Sequence, residues 1–375
     1  MTAKDVIKKD DVVIKFVGDS GDGMQLTGTL FSDTSALDGN DIATFPDYPA
    51  EIRAPHNTVA GVSGFQVHIG KKIYSSGDKA DVLVAMNPAS LKANLKWVKV
   101  GGIIIVDADT FEEGAIEKAG YSSNPLEDDS LSNYKLIKAP ITSFTIEAVK
   151  EIFTDRKAAL KCRNMFALGM IFFIFGKELD HTDAYLEKKF AKKPEVVQAN
   201  KSVIRAGYNF CENTDVMEYQ MQVETATMPA GKYRNITGNI ATAWGLLAAA
   251  EKAGLPLFLG SYPITPATDI LIELAKHKSL GARVFQAEDE IAGICSAIGA
   301  SFAGAMACTS TSGPGLSLKS EAIGLAVMTE LPLVIVDVQR GGPSTGLPTK
   351  TEQSDLVQAL FGRNGEAPCI VIAAS

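Results

Sequence analysis

Short apolar runs alternate with segments of helical periodicity through the first part of the chain. The runs that predict strands are Val12–Val17, Val62–Gly70, Asp81–Met86, Gly102–Asp107 and Tyr134–Lys138. The helical patterns between them cover about Met24–Leu37, Asn87 to about Val98, and the region near Phe144–Phe153. Because continuous apolar strands are typical of sheets buried on both faces, this alternation predicts a mainly parallel sheet covered by helices.

The first strand is followed by Gly18-Asp19-Ser20-Gly21-Asp22-Gly23. These glycines do not have the GxGxxG order of a dinucleotide site, so nucleotide binding is little supported. Gly21-Asp22-Gly23 also looks like the start of the GDG…N motif of thiamine enzymes, but Asn40 comes too early to complete it. A tight turn that lets strand and helix pack closely is the favoured interpretation. The proline-rich stretch Thr44–Pro55 is predicted to be an ordered loop.

The middle of the chain, from Ala158 to about Cys211, is predicted to be helical and carries many charges. Its apolar run Met165–Gly176 is shorter than the roughly 20 residues that span a bilayer, so it is predicted to be a buried helix. Residues 215–233 have little periodicity and are predicted to be a linker. The predicted domains are therefore residues 1–214 and 234–375.

A second α/β pattern follows the linker, with strands predicted at Leu255–Leu259, Arg283–Ala287, Ala305–Cys308 and Leu333–Val338. The stretch Gly260–Asp269 joins the first of these strands to a helix. Thr265 is predicted to cap that helix and Pro266 to begin it. Free backbone N–H groups there could bind an anion such as a carboxylate. On local evidence alone, a simple helix cap is the favoured interpretation of Thr265.

Two further groups of polar residues are predicted near the same edge of this sheet. Glu288, Asp289 and Glu290 begin a helix, where acids are favoured by the helix dipole; the functional alternative is that Glu290 faces inward. Arg340 follows the last buried strand, at the edge where open parallel sheets bind ligands, and its guanidinium suits a carboxylate. The polar glycine loop Thr309–Gly315 could cradle a ligand or simply connect a strand to the helix Leu316–Thr329.

The composition and net charge of the chain argue against some classes of function. The chain has 375 residues, is 46% hydrophobic and 21% charged, and carries a formal net charge of −8. This charge argues against nucleic acid or an anionic membrane as the main partner. The N-terminus has no apolar core of a signal peptide, and the cysteines are scattered without a CxxC pair. We therefore expect reduced thiols in a cytoplasmic protein, and no metal or iron–sulfur site on this chain.

Four motifs in the second half give the chain a family resemblance. Tyr262–Pro266, Glu288–Glu290, Thr311–Gly315 and the run Gln339–Thr349 together resemble the alpha subunits of 2-oxoacid:ferredoxin oxidoreductases. Gly18–Gly23 and Glu51–Pro55 are similar to the gamma-type domain that is fused ahead of the pyrimidine-binding domain in some of these subunits. The resemblance implies two α/β domains, a gamma-type Rossmann-like domain and a doubly wound domain that binds the pyrimidine of thiamine diphosphate.

The resemblance also implies an activity and its partners. It implies thiamine diphosphate-dependent oxidative decarboxylation of a 2-oxoacid, with CoA as co-substrate and electrons passed to ferredoxin. A beta subunit would hold Mg²⁺ and the [4Fe-4S] cluster, and no nucleic acid or membrane is implied. Glu290 matches the glutamate that contacts the aminopyrimidine, with Glu288 as the alternative; Thr265 and Arg340 match residues that hold the substrate carboxylate. Alpha chains of this fused type continue past a position like Ser375.

The substrate is left open by the sequence. We expect 2-oxoglutarate, converted to succinyl-CoA and CO2, because the fused arrangement is commonly associated with it. Pyruvate and branched-chain 2-oxoacids are the close alternatives, and a thiamine enzyme that does not export electrons is another. A more distant alternative is a non-catalytic α/β nucleotide-binding or assembly protein, in which Glu288–Glu290 and Arg340 are purely structural.

Overall fold

The computed structural model describes residues 5–49, 54–229, 231–342, 346–365 and 371–372. They fall into two compact units that divide between Gly231 and Lys232. Parts of two motifs lie outside the described residues: Glu51–Arg53 of the gamma-type motif and Pro343–Thr345 of the run Gln339–Thr349. The chain has the mixed α/β fold expected from the sequence.

The elements of the first unit follow the predicted alternation closely. They are β1 Asp5–Lys9, β2 Asp11–Asp19, α1 Met24–Leu37, β3 Asp41–Asp47, β4 Val62–Gly70, β5 Ala80–Ala85, α2 Pro88–Asn94, β6 Val98–Asp107, α3 Glu113–Lys118, β7 Lys135–Ala139, α4 Ile141–Val149, α5 Arg156–Leu160, α6 Arg163–Ile174, α7 Asp180–Lys189, α8 Pro194–Asn213 and β8 Tyr219–Val223. A six-stranded sheet has the order β3-β4-β2-β5-β6-β7. Strands β2, β5, β6 and β7 are parallel, and β4 is antiparallel to both of its neighbours.

Two predictions for this unit are wrong. The first four residues of the predicted loop Thr44–Pro55 belong to β3, whose Pro46 is tolerated because β3 is an edge strand. The predicted linker 215–233 contains β8, which pairs in parallel with β1. Met221 of β8 is buried, and the strand has the alternating pattern of a short amphipathic strand. Local periodicity could not show that its partner lies more than 200 residues earlier in the chain.

Helix α6 is buried on all sides, as predicted for Met165–Gly176. It packs against α8 at a close crossing formed by two glycines. A Cβ atom placed on Gly169 would lie 2.0 Å from the Ile204 carbonyl oxygen, and one on Gly207 would lie 2.0 Å from the Phe166 carbonyl oxygen. The two backbones can therefore touch only because neither glycine has a side chain. None of the described helices is both long enough and apolar enough to cross a membrane.

The second unit is an open parallel sheet flanked by helices. Its elements are α9 Gly238–Ala253, β9 Leu257–Ser261, α10 Thr268–Ala275, β10 Arg283–Gln286, α11 Glu290–Phe302, β11 Met306–Thr311, α12 Gly313–Leu318, α13 Ser320–Met328, β12 Val334–Asp337 and α14 Leu356–Phe361. The strand order is β10-β9-β11-β12, and every neighbouring pair is parallel. Leu257, Leu259, Ile270, Leu274 and Cys308 form the centre of its core. The order reverses between β9 and β11, which is where such sheets open a crevice.

The predicted helix starts in this unit need correction. Thr265 is not an N-cap, and Pro266 does not begin a helix: their peptide bond is cis, and α10 begins at Thr268 after Ala267. Thr265 and Pro266 therefore lie in the turn before α10, although their residue types are typical of a helix start. The loop predicted at Thr309–Gly315 is mostly strand and helix, because β11 runs to Thr311 and α12 begins at Gly313.

Candidate functional site

Four loops meet at the carboxyl edge of the second sheet. The loop after β9 carries Ile264 and Thr265, and α11 begins with Glu290 soon after β10 ends. The α12 helix follows β11 directly, and Arg340 comes three residues after the end of β12. Because all strands of this sheet are parallel, these four connections lie at one edge, as the sequence predicts.

A serine pair joins the two strands at the point where the strand order reverses. The Ser261 hydroxyl of β9 lies 2.7 Å from the Ser310 carbonyl oxygen of β11, to which it donates. The two hydroxyl oxygens are 2.9 Å apart, and both side chains are buried. These bonds satisfy polar groups that would otherwise be costly to bury, and they fix the strand ends beneath the loops.

A cavity of about 630 Å³ opens above this edge. Its lining combines small, polar and charged residues: Ile264, Glu290, Gly313, Pro314, Ser317, Leu318, Arg340, Gly342, Ser354, Asp355 and Gln358. The charged members are two carboxylic acids and one guanidinium. A concave site of this size with few, convergent charged groups has the usual features of a site for a small molecule.

Glu290 is the one member of the acidic triplet that faces inward. It is only 8% exposed, whereas Glu288 and Asp289 are exposed. The Asp289 side chain caps α11 by accepting a hydrogen bond from the Ala292 amide at 2.7 Å. This cap fixes the start of the helix and turns the next residue, Glu290, toward the cavity. The fallback assignment to Glu288 therefore has less structural support than the assignment to Glu290.

Helix α12 packs directly against the Glu290 side chain. A Cβ atom on Gly315 would lie 3.0 Å from Glu290 Cγ, so the absence of a side chain at Gly315 makes room for the carboxylate. Lys319 lies four residues after Gly315, about one helical turn along the chain. Its ammonium group donates a hydrogen bond to the Glu290 carbonyl oxygen at 2.7 Å. Lys319 is completely buried, and burial lowers its pKa to about 8 against the opposing effect of the Glu290 and Asp289 charges.

Arg340 and Thr265 lie together, as the sequence predicts, although they meet in an unexpected way. Arg340 is 8% exposed, and its Nη1 donates to the Thr265 carbonyl oxygen at 3.0 Å. The contact uses the backbone carbonyl oxygen of Thr265, whereas the sequence predicted a helix cap with backbone N–H groups that could bind an anion. The bond holds the guanidinium in the cavity wall.

Sequence reasoning missed a pair of carboxylic acids beside this cavity. Asp355 is 4% exposed and accepts a hydrogen bond from Gln339 Nε2 at 2.6 Å. Burial, followed by the hydrogen-bonding and charge effects of Asp355, raises the pKa of the neighbouring Asp337 to about 8. Asp337 is therefore mostly protonated at neutral pH. They are 18 residues apart, and no local pattern links them.

The glycine turn of the first unit has a structural explanation. Gly21 and Gly23 have positive φ, and Asp22 accepts a hydrogen bond from the Asp19 amide at 2.9 Å. Arg163 at the start of α6 donates to Asp22 at 2.9 Å and lies 3.8 Å from the fully buried Asp107. Burial raises the pKa of Asp107 to about 6. The turn thus ties β2 to α6 through Arg163, as expected of a tight packing turn.

Cysteine and metal chemistry can be described only for part of the chain. Cys162, Cys211, Cys295 and Cys308 are free thiols, and Cys369 lies outside the described residues. Within the described ranges, no three His, Cys, Asp or Glu side chains are grouped as metal ligands would be.

Comparisons with known proteins agree with this architecture. The family model described as pyruvate ferredoxin/flavodoxin oxidoreductase matches residues 13–210, more than half of the chain. The model described as the thiamine diphosphate-binding part of pyruvate flavodoxin/ferredoxin oxidoreductase matches residues 249–375. The chain therefore belongs to the pyruvate ferredoxin/flavodoxin oxidoreductase family, which confirms the family resemblance drawn from the motifs.

Two individual relatives are similar to this chain over almost its whole length. The chain is 55% identical over 372 residues to the 2-oxoglutarate oxidoreductase subunit KorA of Mycobacterium tuberculosis, covering 99% of this chain and 57% of that protein. It is 30% identical to subunit alpha of 2-oxoacid:ferredoxin oxidoreductase 1 of Aeropyrum pernix, covering 97% of this chain and 60% of the relative.

A solved structure agrees with these relatives. It is the 2-oxoglutarate:ferredoxin oxidoreductase of Magnetococcus marinus with 2-oxoglutarate, coenzyme A and succinyl-CoA bound. It matches with a TM-score of 0.77 and 34% identity, over 96% of this chain and 57% of that one. The chain thus spans less than two thirds of the length of each of these relatives.

Proposed function

We propose that this chain is the alpha-type part of a 2-oxoacid:ferredoxin oxidoreductase that oxidises 2-oxoglutarate to succinyl-CoA and CO2. The observation that carries the proposal is the cavity at the carboxyl edge of the second sheet, where the buried Glu290 and Arg340 face the same space. One carboxylate and one guanidinium match the two ligands that the reaction requires, a heterocyclic cofactor and an anionic acid. The similarity to the Mycobacterium subunit supports the choice of 2-oxoglutarate.

The cavity suits one end of thiamine diphosphate. The cofactor, when bound, supplies the electron-accepting centre that decarboxylation of a 2-oxoacid requires. Glu290 presents a buried carboxylate that can share a proton with a ring nitrogen, and Gly315 leaves room beside it. In this proposal the diphosphate, its Mg²⁺ and the [4Fe-4S] cluster are held by a beta subunit, and ferredoxin accepts the electrons.

Arg340 and Thr265 are proposed to hold the substrate. The guanidinium is fixed by the Thr265 carbonyl oxygen, so it loses little conformational freedom when an anion binds. A guanidinium suits the carboxylate next to the keto group, and such a pairing would orient the keto carbon toward the cofactor. The Thr265 hydroxyl is proposed as a second donor to the same carboxylate.

The test is CoA-dependent reduction of a viologen dye by the complex of this chain with its beta subunit. 2-Oxoglutarate, pyruvate and a branched-chain 2-oxoacid are compared as substrates. We expect 2-oxoglutarate to give the highest kcat/KM; a complex active only with pyruvate would replace the substrate assignment. Inactivity with every 2-oxoacid, in a complex that contains cofactor and cluster, would refute the proposed function.

A matched pair of variants tests the role of Glu290. Glu290→Gln keeps the size of the side chain but removes the carboxylate, so we expect turnover to fall at least about 100-fold while the complex still assembles. Glu288→Gln makes the same change two residues earlier, on an exposed side chain. If Glu288→Gln inactivates the complex and Glu290→Gln does not, the fallback assignment is correct.

A further inference from the structure

Gln339 begins the last of the four sequence motifs, and the proposed function gives it no role. It lies directly before Arg340, shortly after β12 ends, and is half-buried. Its side-chain amide donates a hydrogen bond to Asp355 Oδ1 at 2.6 Å. This bond joins the residue next to the proposed substrate-binding arginine to a segment 16 residues further along the chain.

Asp355 lies at the start of a helix, but its carboxylate is turned to the interior. It directly precedes α14, where an aspartate commonly caps a helix by accepting from the first amides. Here the side chain is buried and accepts from Gln339 instead. Gly313 makes room for the carboxylate, because a Cβ atom at that position would lie 2.8 Å from Asp355 Oδ2. Since burying a carboxylate is costly, this position favours a role beyond that of a helix cap.

The same carboxylate also contacts the end of β12 through Asp337. Asp337 comes two residues before Gln339, and side chains two apart in an extended chain lie on the same side. Burial, followed by the hydrogen bond and charge of Asp355, raises the pKa of Asp337 to about 8. A protonated Asp337 can lie beside Asp355 without the repulsion between two carboxylates. Asp355 therefore holds the end of β12 at two points, Asp337 and Gln339.

The chain is also held directly after Arg340. The Gly341 amide donates to the Lys350 carbonyl oxygen at 2.7 Å. The residues on both sides of Arg340 are thus fixed by later parts of the chain, Gln339 through its side chain and Gly341 through its backbone. The contact of Arg340 Nη1 with the Thr265 carbonyl oxygen fixes the far end of the side chain. A guanidinium held at both ends loses little conformational freedom when an anion binds.

We propose that Asp355 is a positioning residue for Arg340: by holding Gln339 it fixes the backbone from which the guanidinium extends to the carboxylate of the 2-oxoacid. The proposal rests on the proposed function, since it concerns the arginine assigned to the substrate. Without this bond, Arg340 has to be ordered when the substrate binds, and that ordering weakens binding. The bond is made by two side chains, so it can be broken from either side by substitution.

The experiment breaks the bond in the complex of this chain with its beta subunit. Asp355→Ala removes the acceptor, and Gln339→Met removes the donor while keeping the length of the side chain. Each should raise KM for the preferred 2-oxoacid about 10-fold with a smaller change in kcat, since a hydrogen bond to a charged group contributes on this order. Calorimetry with the corresponding 2-hydroxy acid, which keeps the carboxylate but has no keto group, should show the same loss of affinity without turnover.

Three controls separate positioning from a general loss of structure. Asp355→Asn retains an oxygen that can accept from Gln339, so KM should stay within about twofold of the wild-type value. Glu321→Ala removes an exposed acid from the first turn of α13 and should change neither KM nor kcat. The affinity for thiamine diphosphate should be unchanged in Asp355→Ala, because Glu290 is the carboxylate assigned to the cofactor.

Double variants test whether Asp355 acts through Gln339 and Arg340. Asp355→Ala combined with Gln339→Met should weaken substrate binding no more than either change alone, because both break the same bond. In an Arg340→Ala background, Asp355→Ala should not raise KM further, because a residue that acts through the guanidinium has nothing left to position.

The outcomes distinguish this proposal from the one on which it rests. A complex that contains cofactor and cluster but oxidises no 2-oxoacid refutes the proposed function, and this proposal with it. If the complex is active and Arg340→Ala weakens substrate binding, but Asp355→Ala and Gln339→Met leave KM in place, only the role of Asp355 is refuted. Equal losses from Asp355→Ala with and without Arg340 also refute it, since they would show a structural role or a direct contact with the substrate.

Discussion

The Asp337–Asp355 pair makes the stability of the second unit depend on pH in a direction unusual for aspartates. Burial, followed by the hydrogen bond and charge of Asp355, raises the pKa of Asp337 from 3.8 to about 8. Between about pH 4 and pH 8, the folded state therefore keeps a proton on Asp337, whereas the unfolded chain has lost it. Stability from this proton is fully present below about pH 4 and is lost as the pH rises through 8.

The perturbation is Asp337→Asn, which replaces the protonated carboxyl group with an amide that does not titrate. A rise in pKa from 3.8 to about 8 sets an upper limit of about 6 kcal/mol on the pH-dependent stability. Asp337 is partly exposed, and solvent screening reduces the effect, so we expect a loss of about 1–2 kcal/mol between pH 5 and pH 8 in the wild type. The asparagine variant should be nearly insensitive to pH over this range and more stable than the wild type at pH 8.

The assay is urea unfolding followed by tryptophan fluorescence. The chain has two tryptophans, and Trp244 in α9 donates to Glu273 at 2.9 Å within the second unit. A Trp97→Phe background removes the other, so that fluorescence reports the second unit alone. Asp269→Asn, which changes an exposed acid of α10, is the control. The reasoning is refuted if Asp337→Asn loses as much stability between pH 5 and pH 8 as the wild type.

Three further predictions concern the cavity and the helix crossing. Arg340→Ala should lower kcat/KM for the preferred 2-oxoacid by about 10–100-fold through the loss of a charged hydrogen bond; an unchanged KM with unchanged kcat would contradict substrate binding. Gly315→Ala should destabilise the second unit and weaken thiamine diphosphate binding, because its Cβ would lie 2.1 Å from the buried Thr311 Oγ1 and 3.0 Å from Glu290 Cγ; urea unfolding and calorimetry measure the two effects. Gly207→Ala should destabilise the first unit by about 2–3 kcal/mol by forcing α8 away from α6, whereas Gly114→Ala, with open space around it, should not.

The sequence predicted much of the candidate site because its signals are local. Glu290 follows a predicted strand and precedes apolar helical residues, and this pattern indicates an acid near a sheet edge. Arg340 also follows a predicted strand, and parallel strands bring such residues to one edge, although β10 and β12 are less buried than the sequence predicts. The structure places both in one cavity wall, and the family models confirm the resemblance that the motifs carry.

The same local signals were misleading where the chain makes an unusual turn. Thr265 and Pro266 have the residue types of a helix start, yet α10 begins at Thr268. Thr265 lies at the predicted edge of the sheet and contacts Arg340 through its carbonyl oxygen, which any residue would supply. Its role in substrate binding stays a prediction.

Other features depend on contacts between segments that are distant in the sequence. The pairing of β1 with β8, the effect of Asp355 on the pKa of Asp337, and the contact of Lys319 with Glu290 each join residues with no common local pattern. Periodicity measures which face of an element is apolar, and it carries no information about which distant polar group lies opposite. The sequence by itself therefore determined the fold class, the family and the edge that bears the site. Only the tertiary structure decided which charges meet there, because burial and electrostatic coupling arise when separate elements pack together.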